Sequence, residues 1–228
     1  MNRKTTHDVL RRLIRAYARP ERQHRPDAVG VLIATILSQN TTDANSSRAF
    51  DALRKRFASW DALADARSDA IAGVIRPAGL SRQKAPRIRR ICRKLRDRRG
   101  EISLEFLAAM PADDAYGYLL GFDGVGPKTA LCVLLFAFDM PVFPVDTHIE
   151  RITRRLGWLA PDVPAGRAHT VLTPAMRPRD RHDMHLLLIA HGRRTCRPQN
   201  PRCRDCPLLG LCSHGTAHGN REGNSADG

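Results

Sequence analysis

The chain has 228 residues, 42% of them hydrophobic and 27% charged, a balance that suits a globular protein with one large core or two small ones and excludes a disordered polyelectrolyte. With 38 Lys and Arg against 23 Asp and Glu the formal charge is +15, so the surface attracts polyanions, nucleic acids among them, through a salt-dependent and sequence-blind term. The longest apolar runs, Val29 to Leu37 and Thr129 to Phe138, stop at about ten residues, half of what a membrane span needs. Met1-Asn2-Arg3-Lys4 opens a charged amphipathic stretch rather than an apolar signal core.

Almost everything along the chain has helical period. Val9, Leu10, Leu13, Ile14 and Tyr17 line one face of a first helix, and Asp27 caps a more deeply buried second one that runs through Leu37. A third starts near Asp43 and turns Phe50, Leu53 and Phe57 inward. Ser59 and Ser68 open two short helices, Pro77-Ala78-Gly79 breaks the chain, and Ile88, Ile91, Cys92 and Leu95 stripe a strongly basic helix ending at Gly100. Further helices are expected around Asp113 to Gly121, Lys128 to Phe138, His148 to Leu156, Ala165 to Leu172 and Arg181 to His191. No stretch alternates as a strand does, so the fold class is all-α, with about ten helices. The small, polar residues 213–228 read as a disordered tail.

The segment Phe122-Asp123-Gly124-Val125-Gly126-Pro127-Lys128 sets a G-x-G turn between two helical stretches. Two glycines permit a tight turn with backbone N–H groups exposed at a helix start, which is an anion site suited to a phosphate, with Val125 plugged into the core. A plain helix-helix turn is the alternative. In Pro144-Val145-Asp146-Thr147-His148-Ile149-Glu150, Thr147 and Glu150 have the spacing of a capping box. Asp146 sits just ahead, where a carboxylate faces the positive end of the next helix.

Cys196, Cys203, Cys206 and Cys212 follow at C-x6-C-x2-C-x5-C, separated by Arg197, Arg202 and Arg204 and by Pro198, Pro201 and Pro207. A loop with so little apolar content needs something other than a core to order it. In a reducing compartment thiolate ligation is expected over two disulfides. Zinc and an iron-sulfur cluster both accept four thiolates, and the spacing leaves both open. His182, His185, Cys92 and Cys132 read as helix-surface or core residues rather than ligands.

Together, the hairpin with its lysine, the V-D-T-H segment and the cysteine tail resemble endonuclease III, of the helix-hairpin-helix DNA glycosylases. The resemblance runs from Val29 to Cys212 and takes in Leu37-Ser38-Gln39-Asn40-Thr41-Thr42-Asp43, Gly79-Leu80 and His191-Gly192-Arg193. It implies two lobes, a helical barrel of residues 22–131 bearing the hairpin and a discontinuous lobe of 1–21 plus 132–212, with DNA across the cleft. It implies a 4Fe-4S cluster on the four thiols, holding the arginine-studded loop against the DNA backbone. The implied activity is base excision repair by a bifunctional DNA glycosylase and abasic-site lyase, acting on oxidised pyrimidines in double-stranded DNA, as a cytoplasmic, nucleoid-associated monomer with no membrane partner.

Residue by residue, Lys128 matches the family's catalytic lysine, whose neutral amine attacks the sugar C1′ of a flipped nucleotide; partial burial and nearby positive charge are expected to lower its pKa. Asp146 matches the aspartate that stabilises positive charge building on the sugar. Gly124 and Gly126 match the phosphate-binding hairpin, Leu80 the apolar wedge, and His148 a residue near the DNA backbone. The family fills the vacated stack with a glutamine two residues after the serine; Asn40 has that offset and Gln39 precedes it, so either is a candidate. The family hairpin reads L-P-G-V-G-R-K, whereas this chain has Asp123 before the glycines and Pro127 in place of the basic residue. Arg82, Lys84, Arg87, Arg89 and Arg90 are the compensating charges. Two rivals are a monofunctional mismatch glycosylase, which activates water and lacks a lysine at this position, and a non-catalytic DNA-binding protein whose cluster senses redox state.

Overall fold

The computed structural model describes residues 3–22 and 27–219, and these are helical apart from turns and connections. They divide into two compact units, residues 27–139 and residues 3–22 with 140–219. Met1 and Asn2, and the end of the expected tail beyond 219, lie outside the described residues. Among the described residues no helix is long and apolar enough to cross a membrane.

The first helix, α1 (Arg3–Tyr17), belongs to the discontinuous unit; the next seven build the other: α2 (Ala28–Leu37), α3 (Asp43–Arg56), α4 (Trp60–Asp65), α5 (Ser68–Val74), α6 (Ser81–Arg99), α7 (Ala112–Leu120) and α8 (Pro127–Phe138). Asp27 starts α2 by accepting from the Val29 N–H at 3.1 Å, and its other oxygen accepts from Trp60 Nε1 at 2.8 Å, so one carboxylate caps a helix and anchors α4. Leu32, Ile33, Ile36 and Leu37 of α2 are fully buried, each burial stabilising the fold by roughly 1.5–3 kcal/mol. Their partner is α8, which buries Ala130, Val133, Leu134 and Leu135. This pairing holds α8 whole, so the unit ends at 139, beyond the 131 read from the sequence. Ser59 caps α4 through the Ala62 N–H, as expected. Ser68 does not cap α5: it is the first helical residue, and Arg67 at the cap position pairs with Asp69 instead.

The discontinuous unit adds α9 (Thr147–Arg155), α10 (Ala168–Leu172), α11 (Arg181–Arg194) and α12 (Ser213–Gly219) to α1. Val9, Leu10 and Leu13 pack with Phe143, Ile149, Ile152, Leu187 and Leu188 in one core. Asp183 on α11, 1% exposed, accepts from Arg19 at 2.7 Å and from Arg22 at 3.1 Å. That pairing ties Arg19 and Arg22 to this unit, so the chain belongs to it past the boundary expected at 21. The tail differs from expectation at its start. Residues 213–219 form α12, because the Gly215 N–H meets Cys212 Sγ, Thr216 Oγ1 donates to Cys212 O and Ser213 Oγ to Arg155 O.

Candidate active site and thiolate centre

In the unit of residues 27–139, the hairpin between α7 and α8 is built by its own glycines. Gly124 has φ +77°, a conformation that penalises any side chain, and a Cβ there would meet Arg87 of α6 at 2.0 Å. Val125 and Phe122 are buried, so the turn is plugged into the core as the sequence implied. Gly126 is different. Its φ is −89° and a Cβ would meet nothing within 4 Å, so neither conformation nor internal packing demands glycine there. It is the N-cap of α8, no side chain caps that helix, and Pro127 at the first turn carries no N–H. The first turn of α8 thus has no side-chain cap, and the space beside Gly126 is open, an arrangement suited to an anion.

Lys128 follows on this first turn, half-buried and without a hydrogen bond or ion pair among the described residues. The acid gained at Asp123 is offset: Arg90 donates to it at 2.5 Å, and that bond, with further help from the charges of Arg90 and Arg87, holds the carboxyl below its usual range. Gln39 turns toward the hairpin, donating to Thr129 Oγ1 at 3.2 Å and toward Gly124 O at 3.5 Å, while Arg87 reaches its carbonyl oxygen at 3.5 Å. Asn40 is exposed with φ +54°, and Leu80, with φ +49°, is 48% exposed. Lys84 is not among the compensating surface charges. It is buried, lies on the α6 stripe that continues as Ile88, Ile91 and Leu95, and donates to three main-chain carbonyls.

In the other unit, Asp146 is itself the N-cap of α9, its Oδ1 accepting from the Ile149 N–H at 2.8 Å. The expected capping box does not form. Thr147 is the first helical residue, and Glu150 pairs with Arg154 at 3.0 Å, one turn on, rather than reaching back. His148 packs against Gly192 of α11, where a Cβ would come within 2.8 Å of its Nδ1. Arg151 can only donate, so its 3.1 Å bond to Nδ1 leaves the proton on Nε2. Burial, with Arg151 and Arg193 nearby, depresses the His148 pKa.

Cys196, Cys203, Cys206 and Cys212 line one cavity together with Ile152, Leu156 and Leu208. None is in a disulfide. Donors converge on the sulfurs: Arg155 Nη1 on Cys196 at 3.2 Å, the Leu208 N–H on Cys206 and the Gly215 N–H on Cys212 at 3.4 Å each, and His191 Nε2 beside Cys206 at 3.8 Å. His191 is buried, which pushes its pKa down to about 4, and its Nδ1 meets Tyr17 Oη at 2.8 Å. The cysteine segment is more tied than its composition implied. Arg151 donates to Cys196 O at 2.9 Å, Arg155 to Arg197 O at 2.7 Å and Pro198 O at 2.9 Å, and Leu208 is buried in the core. Among the described residues, no three His, Cys, Asp or Glu side chains converge on a single metal ion. His185 and Cys92 are buried, as expected; burial raises the Cys92 thiol to about 12 and leaves it inert.

The sequence reading missed Arg151 and Arg155 and the roles of Tyr17 and Lys84. A signal existed for three of these: Arg151 and Arg155 share a face of α9 at i,i+4 spacing, and Lys84 sits in register with an apolar stripe.

Residues 33–172 match the family described as HhH-GPD superfamily base excision DNA repair protein. The chain is 34% identical over 206 residues to endonuclease III of Thermotoga maritima, a match covering 90% of this chain and 91% of that protein. It is 33% identical over 185 residues to endonuclease III of Sulfolobus acidocaldarius, covering 80% of each. A longer relative from Arabidopsis thaliana is 36% identical over 189 residues, and the chain spans 64% of its length. Among solved structures, a non-covalent endonuclease III–DNA complex superposes with a TM-score of 0.81 at 27% identity, covering 96% of this chain and 99% of that one. A trapped endonuclease III–DNA covalent intermediate gives 0.79 at 29% identity with the same coverage. The chain therefore belongs to the HhH-GPD superfamily of base excision DNA repair proteins and, within it, to the endonuclease III family.

Proposed function

We propose that this protein is a bifunctional DNA glycosylase and abasic-site lyase that acts on oxidised pyrimidines in duplex DNA, with Lys128 as nucleophile. The observation that carries the proposal is Lys128 itself: an amine without a partner among the described residues, on the first turn of a helix that no side chain caps, next to a glycine at which an added Cβ would meet nothing within 4 Å. A DNA phosphate at that turn brings the sugar of the adjoining nucleotide toward the amine. The amine lone pair forms the N–C1′ bond while the bond from C1′ to the base breaks, the base leaving with that electron pair and taking up a proton. Loss of the amine proton with opening of the sugar gives a Schiff base, and removal of a C2′ proton then breaks the C3′–O bond. Asp146 supplies negative charge to the sugar as positive charge builds there. Its cap bond to Ile149 occupies one oxygen and fixes the carboxylate's direction. Leu80 is the wedge, and Asn40, rather than the inward-turned Gln39, enters the vacated stack; His148 and the hairpin glycines bind the backbone.

The four cysteines fit a 4Fe-4S cluster better than zinc. A lone zinc draws its thiolates to about 2.3 Å of one atom, whereas a cubane takes each thiolate at a separate corner, as sulfurs spread around one cavity allow. The N–H groups of Leu208 and Gly215, with Arg155, are the donors that stabilise thiolate ligands, and His191 lies beside Cys206. When bound, the cluster holds the arginine-bearing segment in shape. Thiolate ligation of this kind suits a protein working on the chromosome in a reducing cytoplasm.

Borohydride trapping tests the reading with duplexes carrying thymine glycol, an abasic site or no lesion. A covalent adduct on the thymine glycol duplex that vanishes in Lys128→Gln, with DNA affinity retained, is expected. An adduct on the abasic duplex alone overturns the substrate class, and none on any duplex overturns the lyase in favour of a water-activating or non-catalytic protein.

A further inference from the structure

Lys84 is 2% exposed, and among the described residues no carboxylate pairs with it. Its Nζ donates to Leu37 O at 2.8 Å, Gln39 O at 2.6 Å and Ala78 O at 3.0 Å. An ammonium has three donors, and all three are spent on backbone. Leu37 and Gln39 belong to the turn that leaves α2; Ala78 belongs to the turn that enters α6. These turns are far apart in sequence and share this lysine as a common cation. Each also presents one side chain outward from a left-handed backbone: Asn40 next to Gln39, and Leu80 two residues past Ala78. A leucine that is both exposed and held at positive φ is unfavourable on both counts, and it persists only where its surroundings fix the turn.

We propose that Lys84 is a positioning residue that clamps the two turns together and so sets the spacing at which Asn40 and Leu80 enter an opened duplex. The proposal rests on the glycosylase reading, because it assigns the clamped pair to a DNA duplex. The lysine acts from behind, through carbonyls, and touches no DNA. An apolar side chain of similar length fills the space but ties neither turn, leaving the buried carbonyls of Leu37 and Ala78 and the partly buried one of Gln39 without this donor and both turns free to drift. A displacement of about 1 Å of such elements costs roughly 100-fold in rate.

The test compares the native protein with Lys84→Met on two substrates, an abasic site in duplex DNA and the same site in single-stranded DNA, which requires no wedge. Adduct formation is followed by borohydride trapping, and duplex opening by the fluorescence of 2-aminopurine beside a tetrahydrofuran abasic analogue, which requires no catalysis. The expected result is a loss of roughly 10- to 100-fold on the duplex, a matching loss of fluorescence change, and near-native trapping on the single strand. Equal loss on both substrates, or no loss on either, overturns the clamp. Native protein that opens the duplex but traps nothing refutes the lyase reading and leaves the clamp to be decided by fluorescence alone. Should Lys84→Met not fold, a double-mutant cycle of Asn40→Ala and Leu80→Ala decides it. A rigid pair gives a double loss clearly smaller than the product of the single losses, and a simple product overturns the proposal.

Discussion

The two hairpin glycines are expected to respond oppositely to the same one-methyl change. In Gly124→Ala the new Cβ adopts φ +77° and falls 2.0 Å from Arg87 Nε, so the backbone is penalised and the arginine must leave. A left-handed alanine costs about 1–2 kcal/mol, and displacing Arg87 from Gly124 and Gln39 adds about 1. The sum of roughly 2–3 kcal/mol lowers Tm by about 4–12 °C in a chain of this length. In Gly126→Ala the Cβ enters open space at an ordinary φ, and losing a glycine N-cap costs only about 0.5–1 kcal/mol. If that space receives a phosphate, however, the methyl group blocks its approach to the N–H groups of the first turn. Charge-assisted bonds of this kind contribute about 1.5–3 kcal/mol, so affinity should fall roughly 10- to 150-fold. Thermal melts followed by circular dichroism give the first quantity, and fluorescence anisotropy on a duplex bearing a tetrahydrofuran abasic analogue, at fixed salt, gives the second. Gly126→Ala binding within twofold of the native protein refutes the anion site; Gly124→Ala melting with the native protein refutes the packing argument.

Arg19→Met with Arg22→Met leaves Asp183 buried without either guanidinium and should destabilise the chain by about 3–5 kcal/mol; a loss of less than about 1 kcal/mol in urea denaturation would refute a stabilising role for these pairs. His148 has a pKa below its ordinary value because it is buried, so between about pH 6.5 and the lower native value the unfolded chain binds the proton more readily. Stability should therefore fall as pH drops below about 6.5, and should fall less in His148→Gln; parallel acid profiles of Tm would contradict this. If the proposed cluster is bound, removing its iron with a chelator under reducing conditions should raise hydrogen exchange in residues 196–212 while leaving 27–139 protected, since the four cysteines belong to the unit of residues 3–22 and 140–219; loss of protection in both segments would refute a purely local role for the cluster.

Much of the candidate site was legible one residue at a time, because the cues are local. A G-x-G turn, a carboxylate ahead of a helix and four spaced thiols are written in short segments whose chemistry depends on side-chain type and spacing. The helices followed for the same reason, since 3.6-residue periodicity and cap residues act over a single turn. Asp27 and Ser59 cap as their sequence context implies. Competition between neighbours was less legible: Asp146 and Thr147 are both good caps, and the main-chain direction entering α9 gave the role to Asp146.

The amino-acid sequence by itself therefore determined the fold class and the family and nominated Lys128, Asp146 and the four cysteines, all from cues between near neighbours. Only the tertiary structure decided that Lys84 is a buried tie and not a surface charge, that Gln39 turns inward while Asn40 projects, that Gly124 is held by packing while Gly126 is open, and that Arg151 and Arg155 hold the cysteine segment. Each of these depends on which distant carbonyl, guanidinium or empty space lies opposite. Sequence spacing carries little of that information, because a buried hydrogen bond is set by the packing of whole helices.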